Sequence, residues 1–293
     1  MNRGCFRALL IFILVLTTGC ASHQGSDNSQ TEQHPSSHIP DPMFGLGDRE
    51  SFTLSSEVIG RDFQILVRLP RSYESSDRDY PLIVLLDGGI LFPMLAPYQL
   101  MMEAEGTADE ALIVGISYGG LGFSNGNLRA TDYTAPSPQV SYFGGAMAYQ
   151  DFLSEELLPR LTREYRINSS QRVLLGQSLG GQFAMHAALT RPTLFSTYVA
   201  VNPAIHANAD YFSTLEAVGS KKKRTLIMAI GSEDPIEYRD PAMQWFNHRS
   251  GTSSPGLNLE LIELADAHHA TSAPAAYHTI VRSLFPPQEE SAP

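Results

Sequence analysis

"RVLLGQSLGGQFAMHAAL", residues 172–189, joins a short apolar run to a stretch of helix-forming residues through a turn of glycines around a serine. The apolar run is typical of a buried strand, and residues 179–190 predict a helix. Ser178 is the centre of a G-x-S-x-G pattern, a turn in which the backbones approach so closely that side chains at Gly176 and Gly180 would collide. The pattern predicts a strained serine whose hydroxyl is a nucleophile. The alternative is a tightly packed glycine turn, as in dinucleotide-binding folds.

The periodicity of the remaining chain predicts an α/β protein. Apolar, β-branched runs that end in glycine or polar residues are typical of parallel strands buried on both faces. Helical patterns over 145–165, 179–190 and 274–284 lie between several of them, and alternation around Gly60 predicts an N-terminal antiparallel hairpin. We therefore expect a catalytic domain over 44–286, with a mostly parallel central sheet and helices on both faces. The predicted parallel strands are 81–89, 111–120, 172–178, 195–203, 225–235 and 257–269.

Composition excludes several classes of function. The 293 residues carry a formal net charge of -11, which argues against the basic surface that nucleic-acid binding requires. The two cysteines, Cys5 and Cys20, both lie near the N-terminus, so the body of the chain has no thiol nucleophile, disulfide or thiolate metal site. Neither a metal nor another cofactor is expected.

The N-terminus is typical of an export signal. Two arginines precede an apolar run over 8–16 that is too short to span a bilayer, and small residues follow. The end of the predicted signal peptide (1–19) resembles the lipobox of bacterial lipoproteins. The resemblance implies lipidation of Cys20 and a periplasm-facing protein, and Ala21 after the cysteine points to the outer membrane. The alternative is ordinary signal cleavage after Ala21.

The composition of four further segments predicts their structure or role. Residues 20–43 are rich in Ser, Gln, His and Pro and predict a flexible tether whose histidines are solvated. Residues 287–293 form a polar tail. The Gly-, Ser-, Tyr- and Pro-rich segment 119–144 is a candidate lid, and the KKKR run at 221–224 is read as a solvated loop rather than an anion site.

A serine nucleophile requires a base and an acid further along the chain. The loop after the last predicted strand contains His268 and His269, of which we favour His269 as the base. The preceding strand ends beside Glu233 and Asp234, and we favour Asp234 as the acid that orients the imidazole, with Glu233 as the alternative. The other histidines of the body are read as packing or surface residues: His186, His206, His248 and His278.

Two backbone N–H groups are candidates for an oxyanion hole. One belongs to Leu179, which opens the helix after the serine, and the other to Gly89 in the loop after the first parallel strand. Gly88 and Gly89 would let the backbone approach a carbonyl, while Asp87 is expected to brace this loop. No Lys and Ser/Thr of a phosphate-binding P-loop follow, so phosphate binding there is not favoured.

With these residues in place, the chain resembles the putative-esterase family of α/β-hydrolases, which includes siderophore trilactone esterases, feruloyl esterases, S-formylglutathione hydrolases and mycolyltransferases. The resemblance rests on "VLLGQSLGGQFAMHAAL", "RATDYTAP" and "DAHHATSAPAAYHTIVRSLF". It implies an α/β-hydrolase fold and places the nucleophile on Ser178, the base on His269, the acid on Asp234 and an oxyanion donor on Gly89. The "RATDYTAP" stretch is most similar to the siderophore esterases.

The chain departs from the family pattern at two places near the expected pocket. Gln177 stands where the family has a histidine, and "NPAIHAN" at 202–208 replaces an aromatic-rich segment. We therefore expect a serine esterase that acts through an acyl-enzyme on a small-molecule ester, with siderophore trilactones as candidate substrates. The alternatives are an acyltransferase on the same fold and a non-catalytic ligand-binding lipoprotein.

Overall fold

The structure is a computed structural model that describes residues 47–118, 127–252 and 254–287. Within these ranges, no helix is both long enough and apolar enough to cross a membrane. Several predicted features fall outside the described residues: the signal peptide (1–19), Cys20, the tether (20–43), residues 119–126 of the candidate lid and residues 288–293 of the tail.

The central sheet of the described residues has eight strands: β1 (Arg49–Ser56), β2 (Arg61–Arg68), β3 (Tyr80–Leu85), β4 (Leu112–Ser117), β5 (Ile167–Gln177), β6 (Thr197–Val201), β7 (Arg224–Gly231) and β8 (Leu257–Leu264). Their order across the sheet is β1-β2-β4-β3-β5-β6-β7-β8. The hairpin of β1 and β2 is antiparallel, β2 is also antiparallel to β4, and every pairing from β4 to β8 is parallel. The predicted mostly parallel sheet with an N-terminal hairpin is confirmed.

Helices cover both faces of this sheet, as predicted. They are α1 (Gly88–Ala104), α2 (Arg129–Asp132), α3 (Ala146–Phe152), α4 (Leu158–Glu164), α5 (Leu179–Thr190), α6 (Ala209–Thr214), α7 (Ile236–Ser250) and α8 (Ser272–Leu284). Successive strand residues alternate between two cores because their side chains point to opposite faces. In β3, Ile83 and Leu85 pack with α1 and α8, while Leu82 and Val84 belong to the core under α3 to α7.

Prolines account for the main differences from the predicted helices. The helix expected over 145–165 contains a π-helical turn, Leu153–Leu157, just before Pro159. Proline has no N–H to donate to the preceding turn, and a wider turn accommodates that loss. The patterns in the sequence do not predict α1 or α7, which contain prolines at 93, 97 and 241 that disrupt the helical signal.

The expectation that β8 is buried on both faces is wrong. Its residues are exposed or half-buried until Leu264, the only buried position of the strand. β8 is the last strand of the sheet, so it has a neighbour on one side only and helices cover it incompletely.

The parallel strands bring distant parts of the chain to one edge. Ser178 follows β5, Asp234 lies three residues beyond β7, and His269 lies in the loop between β8 and α8. We call this edge, at which the parallel strands end, the carboxyl edge, and the opposite one, at which they begin, the amino edge. In open α/β sheets ligands bind at the carboxyl edge.

Candidate active site

Ser178 occupies a strained turn between β5 and α5. Its φ of 59° lies in the left-handed region, which residues with a side chain rarely adopt. Three backbone hydrogen bonds hold this conformation. The Ser178 N–H donates to Val201 O at 2.9 Å, and its carbonyl accepts from the N–H groups of Gln182 at 2.9 Å and Ala204 at 3.0 Å. Neighbouring elements thus fix the backbone of this serine independently of its own preference.

The two glycines of the G-x-S-x-G pattern have different roles. A Cβ atom on Gly176 would overlap the carbonyl oxygen of Gly180, so this position requires glycine, as predicted. A Cβ atom on Gly180 would meet only the side chains of Asp87, at 3.4 Å, and Leu86, at 3.5 Å. The expectation of a collision at Gly180 is therefore wrong, because a Cβ there would face Asp87 and Leu86 and not Gly176.

The favoured base and acid meet the serine in a continuous chain of hydrogen bonds. His269 Nε2 lies 3.0 Å from Ser178 Oγ, and His269 Nδ1 lies 2.6 Å from Asp234 Oδ1. The Asp234 side chain is 1% exposed and that of His269 is 25% exposed. With the proton on Nδ1, the imidazole donates to the carboxylate and accepts from the hydroxyl. This arrangement can remove a proton from serine and stabilise the resulting imidazolium.

The alternative acid and base lie outside this chain of hydrogen bonds. The Glu233 side chain is exposed, with the Ser232 hydroxyl at 3.5 Å. His268 is also exposed, and its backbone N–H donates to Thr271 Oγ1 at 3.3 Å. The structure therefore brings Asp234 and His269 to the serine, and not their sequence neighbours.

The turn that carries the acid is bonded to the loop that carries the base. Ser232 N–H donates to Leu264 O at 2.9 Å, and Glu233 N–H donates to Ala267 O at 3.1 Å. A Cβ atom on Gly231 would overlap the carbonyl oxygen of Ala267, so the end of β7 packs directly against the base loop. These contacts fix the separation of the carboxylate and the imidazole.

Two side-chain amides hold the backbone of His269. Both the Gln177 amide and Asn202 Nδ2, the latter at 3.3 Å, donate to the His269 carbonyl. Asn202 is buried and bridges further, because its Nδ2 donates to Ser272 Oγ at 2.8 Å and its Oδ1 accepts from Gly231 N–H at 2.8 Å. Sequence reasoning marked Gln177 only as a departure from a family pattern and overlooked Asn202. The signal for both was their position at the ends of adjacent parallel strands.

Aromatic rings cover the other side of His269. The Tyr238 ring lies against the imidazole with a centroid distance of 4.6 Å, and His206 lies against Tyr238 at 4.8 Å. The sequence reading of His206 as a packing or surface residue missed its place next to this stack, and Tyr238 was not identified at all. His186 is buried, as that reading allowed, and its ring nitrogens contact Gln150 at 2.7 Å and Tyr211 at 2.9 Å.

A buried ion pair braces the floor of the site. Arg129 Nε and Nη2 each donate to Asp87 at 2.7 Å, and Nη2 also donates to the Gln177 carbonyl at 3.3 Å. Burial alone would lower the pKa of Arg129, but the Asp87 carboxylate outweighs it and raises that pKa above its ordinary value. The prediction that Asp87 braces this region is confirmed. The described part of the candidate lid is tied down here through Arg129 and through the buried Tyr133, whose hydroxyl accepts from Asp87 N–H at 3.2 Å.

The proposed oxyanion donors both lie in the first turn of a helix. Leu179 is the first residue of α5 and Gly89 the second of α1, where backbone N–H groups have no acceptor within their own helix. The expected loop after β3 is thus helical from Gly88 onward. A Cβ atom on Gly88 would lie 2.6 Å from the Gly115 carbonyl carbon, so Gly88 serves close packing against β4.

A cavity of about 260 Å³ opens over the serine and the histidine. Both polar groups and the apolar side chains of Ile90, Leu91 and Ala270 line it. Within the described ranges, no group of three or more His, Cys, Asp and Glu side chains is arranged to hold a metal ion. The polar lining consists of Asp87, Arg129, Gln177, Ser178 and His269.

Comparison with known proteins agrees with this geometry. Residues 56–255 match the model of the esterase family described as "Putative esterase". The chain is 27% identical to the ferri-bacillibactin esterase BesA of Bacillus subtilis, over 83% of this chain and 92% of the relative. It is 26% identical to the siderophore triacetylfusarinine C esterase of Aspergillus fumigatus, over 71% and 77% of the two chains.

A solved structure shares the fold. The IroE-like serine hydrolase from Shewanella oneidensis superposes with a TM-score of 0.73 and 25% identity, covering 81% of this chain and 80% of that one. A siderophore hydrolase, EstB from Aspergillus nidulans, superposes with a TM-score of 0.71 at 24% identity, covering 84% and 96%. The predicted family resemblance and the α/β-hydrolase fold are confirmed.

The Gln177 amide should control the reactivity of Ser178 through His269. Replacing Gln177 by Met removes a hydrogen bond to the His269 carbonyl, worth about 1 kcal/mol, and loosens the imidazole. We expect Gln177→Met to lower the maximal rate of Ser178 labelling by a fluorophosphonate roughly tenfold, with little change in the concentration for half-maximal rate. Gln244→Met, at an exposed position of α7, is the control and should label normally. Labelling of Gln177→Met at the unaltered rate would show that this amide does not position the base.

Proposed function

This chain belongs to the putative-esterase family, and we propose that it hydrolyses the ester bonds of siderophores. It is a serine hydrolase that acts on esters. The observation that carries the proposal is the hydrogen-bonded chain from Ser178 through His269 to Asp234, at 3.0 and 2.6 Å. That chain supplies the nucleophile, base and acid that hydrolysis through an acyl-enzyme requires.

In the proposed reaction, Ser178 Oγ attacks the ester carbonyl while His269 Nε2 accepts its proton. Asp234 stabilises the imidazolium, and the N–H groups of Leu179 and Gly89 donate to the oxyanion of the tetrahedral intermediate. His269 then protonates the leaving alcohol as the acyl-enzyme forms. Water, deprotonated by the same imidazole, attacks the acyl carbon and releases the acid and the free serine.

The siderophore assignment rests on the relatives and on the pocket. Two relatives over most of this chain are named for siderophore esters, ferri-bacillibactin and triacetylfusarinine C. The segment "RATDYTAP", which resembles the siderophore esterases, contributes Arg129 to the wall of the cavity. A cavity of about 260 Å³ accepts one ester arm, while the rest of a large substrate remains outside.

The N-terminal sequence supports export of the protein and its attachment to a membrane. We propose that the protein is exported, lipidated on Cys20 and anchored at the membrane with its catalytic domain facing the periplasm, on the outer membrane. The apolar run over 8–16 and the Gly-Cys-Ala sequence at 19–21 support this assignment. Several acyl chains on one cysteine give stable anchoring, since each buried methylene contributes about 0.8 kcal/mol.

Substrate preference and the role of Ser178 are tested in one assay. With a panel of catecholate trilactone, feruloyl and short-chain esters, we expect the highest kcat/KM for the trilactone. Ser178→Ala should lower kcat on the order of 10⁴-fold or more because the nucleophile is lost. Ser213→Ala, at an exposed position of α6, is the matched control. Preference for another ester would reject the siderophore assignment, and turnover by Ser178→Ala would reject the mechanism.

The two candidate acids are separated by isosteric substitution. Asp234→Asn keeps the shape of the side chain but stabilises the wrong tautomer of His269, so we expect kcat to fall by about 10⁴. Glu233→Gln changes an exposed carboxylate and should leave kcat within about twofold. Steady-state kinetics on one soluble ester measures both variants. Equal losses, or a larger loss for Glu233→Gln, would contradict the assignment of Asp234.

Lipidation is tested by fractionation of cells that express the full chain. The protein should partition with membranes and carry the mass of a lipidated cysteine, whereas Cys20→Ser should lose that modification. Cys5→Ser lies in the predicted signal peptide and is the control that should keep it. An unlipidated chain that begins after Ala21 would establish ordinary signal cleavage instead.

A further inference from the structure

The amino edge of the sheet, opposite the active site, has two adjoining cavities of about 470 and 480 Å³ that share Thr193 and Leu194. They lie around the start of β5 and beside the loops that lead into β6 and β7. We call the residues that line them the basal site. Its polar members are the basic side chains of Arg163, Arg172, Lys222 and Lys223 and the hydroxyl groups of Ser154, Thr162, Ser169, Ser170, Thr193 and Ser196.

The charge of the basal site opposes that of the chain as a whole. Acidic residues outnumber basic ones by 31 to 20 in the sequence, yet among the described residues no carboxylate lines either cavity. Nearby, Glu164 makes exposed ion pairs with Arg163 at 3.3 Å and with Arg160 at 3.2 Å, which surface screening weakens. Four of the six hydroxyl groups, on Ser154, Thr162, Ser170 and Ser196, donate to protein oxygens. Phosphate binding there would therefore rest on the cationic side chains.

Arg172 is the least exposed cation of the basal site. It is half-buried, and its Nη2 donates to Thr162 Oγ1 at 3.0 Å and to Ser169 Oγ at 2.8 Å. Both partners are neutral, and no carboxylate of the described residues forms an ion pair with this guanidinium. Burial lowers the pKa of Arg172 below its ordinary value, with no anion to offset the effect. Within the described part of the chain, the positive charge of Arg172 is therefore not offset by a carboxylate.

The lysines of the chain are all in one place. The sequence contains three, and they are consecutive: Lys221, Lys222 and Lys223. All are exposed, immediately before the buried Arg224 that opens β7. The sequence reading of KKKR at 221–224 as a solvated loop holds for the three exposed lysines and is wrong for Arg224, which is buried at the start of β7. It does not account for the placement of every lysine beside cavities that also contain Arg172, which forms no ion pair with a described carboxylate.

The chain also enters the described domain at the amino edge. Arg49 at the start of β1 pairs with Arg68, which pairs with Ile113 near the start of β4. Ser178 lies at the other end of β5, about 20 Å from Arg172 along the strand at ~3.3 Å per residue. A surface that contacts the amino edge therefore leaves the active site facing away from it.

We infer that the basal site docks the domain onto the phosphate headgroups of an anionic membrane, with headgroup phosphates in the cavities and the three lysines on the bilayer surface. This contact does not depend on ester hydrolysis. A lipid anchor and a basic patch together give more stable attachment than either alone. The docked domain presents the carboxyl edge, and the cavity over Ser178, to soluble substrate.

Vesicle binding tests this inference with the full chain carrying Cys20→Ser, so that no acyl anchor contributes. Vesicles of equal parts phosphatidylglycerol and phosphatidylcholine are compared with vesicles of phosphatidylcholine alone. The net charge of -11 predicts repulsion from the anionic vesicles, so preferential binding to them requires a local basic surface. We expect that preference, and we expect added salt to weaken it.

Substitutions locate the contact. Replacing all three lysines by Gln should lower the partition coefficient onto anionic vesicles about a hundredfold, because each lysine near such a surface contributes ~1 kcal/mol. Replacing them by Arg keeps the charge and should keep binding. Arg239→Gln, near the carboxyl edge, should change binding little. Hydrolysis of a soluble ester should be unchanged in both lysine variants, which shows that they fold and separates this test from that of the proposed function.

Three outcomes would overturn the inference. The first is equal capture of the parent by anionic and neutral vesicles, and the second is binding of the Lys→Gln triple variant to anionic vesicles as tightly as the parent. The third outcome is saturable binding of inorganic phosphate, measured by isothermal titration calorimetry, without vesicle binding. That result would assign the basal site to a soluble phosphate compound and reject the membrane.

Discussion

The whole site depends on one strained residue. Ser178 is held at a φ of 59° between β5 and α5, and hydrogen bonds to three other segments keep it there. Of the two pattern glycines, only Gly176 is required by contact, because its Cα lies against the Gly180 carbonyl. A serine in a relaxed turn would not stand at the start of a helix within reach of an imidazole 91 residues later in the chain. The strain is thus part of the geometry from which the proposed chemistry follows.

The parallel sheet explains why residues so far apart in sequence meet. β5, β6, β7 and β8 are successive neighbours, so their ends lie side by side at the carboxyl edge. The polar residues at those ends form one network. Gln177 at the end of β5 and Asn202 after β6 both donate to the His269 carbonyl, and the turn after β7 donates to the base loop. The imidazole is therefore fixed by its backbone as well as by Asp234. A group oriented from both sides needs little rearrangement to reach a transition state.

Sequence patterns predicted the parts of this protein in which local composition and tertiary role agree. The strands, the hairpin around Gly60 and the helix at 179–190 follow from periodicity, and the order of serine, acid and histidine follows from the strand ends. Periodicity failed at α1 and α7, where prolines lie inside helices that the packed sheet stabilises. Periodicity also could not reveal Asn202 or Tyr238, because the sequence does not show which residue an amide or an aromatic ring will contact. The sequence also could not show that the "KKKR" run lies beside a cavity, because that cavity is lined in part by residues at the start of β5, more than 50 positions earlier in the chain.

The most direct test of Ser178 as the nucleophile is to isolate the covalent intermediate. The enzyme is mixed with a trilactone ester, quenched in acid within milliseconds, digested and analysed by mass spectrometry. An acyl group on the peptide that contains Ser178, appearing in a burst before steady-state turnover, is the predicted result. Steady-state turnover without any acylated peptide, or acylation of a different residue, would contradict it.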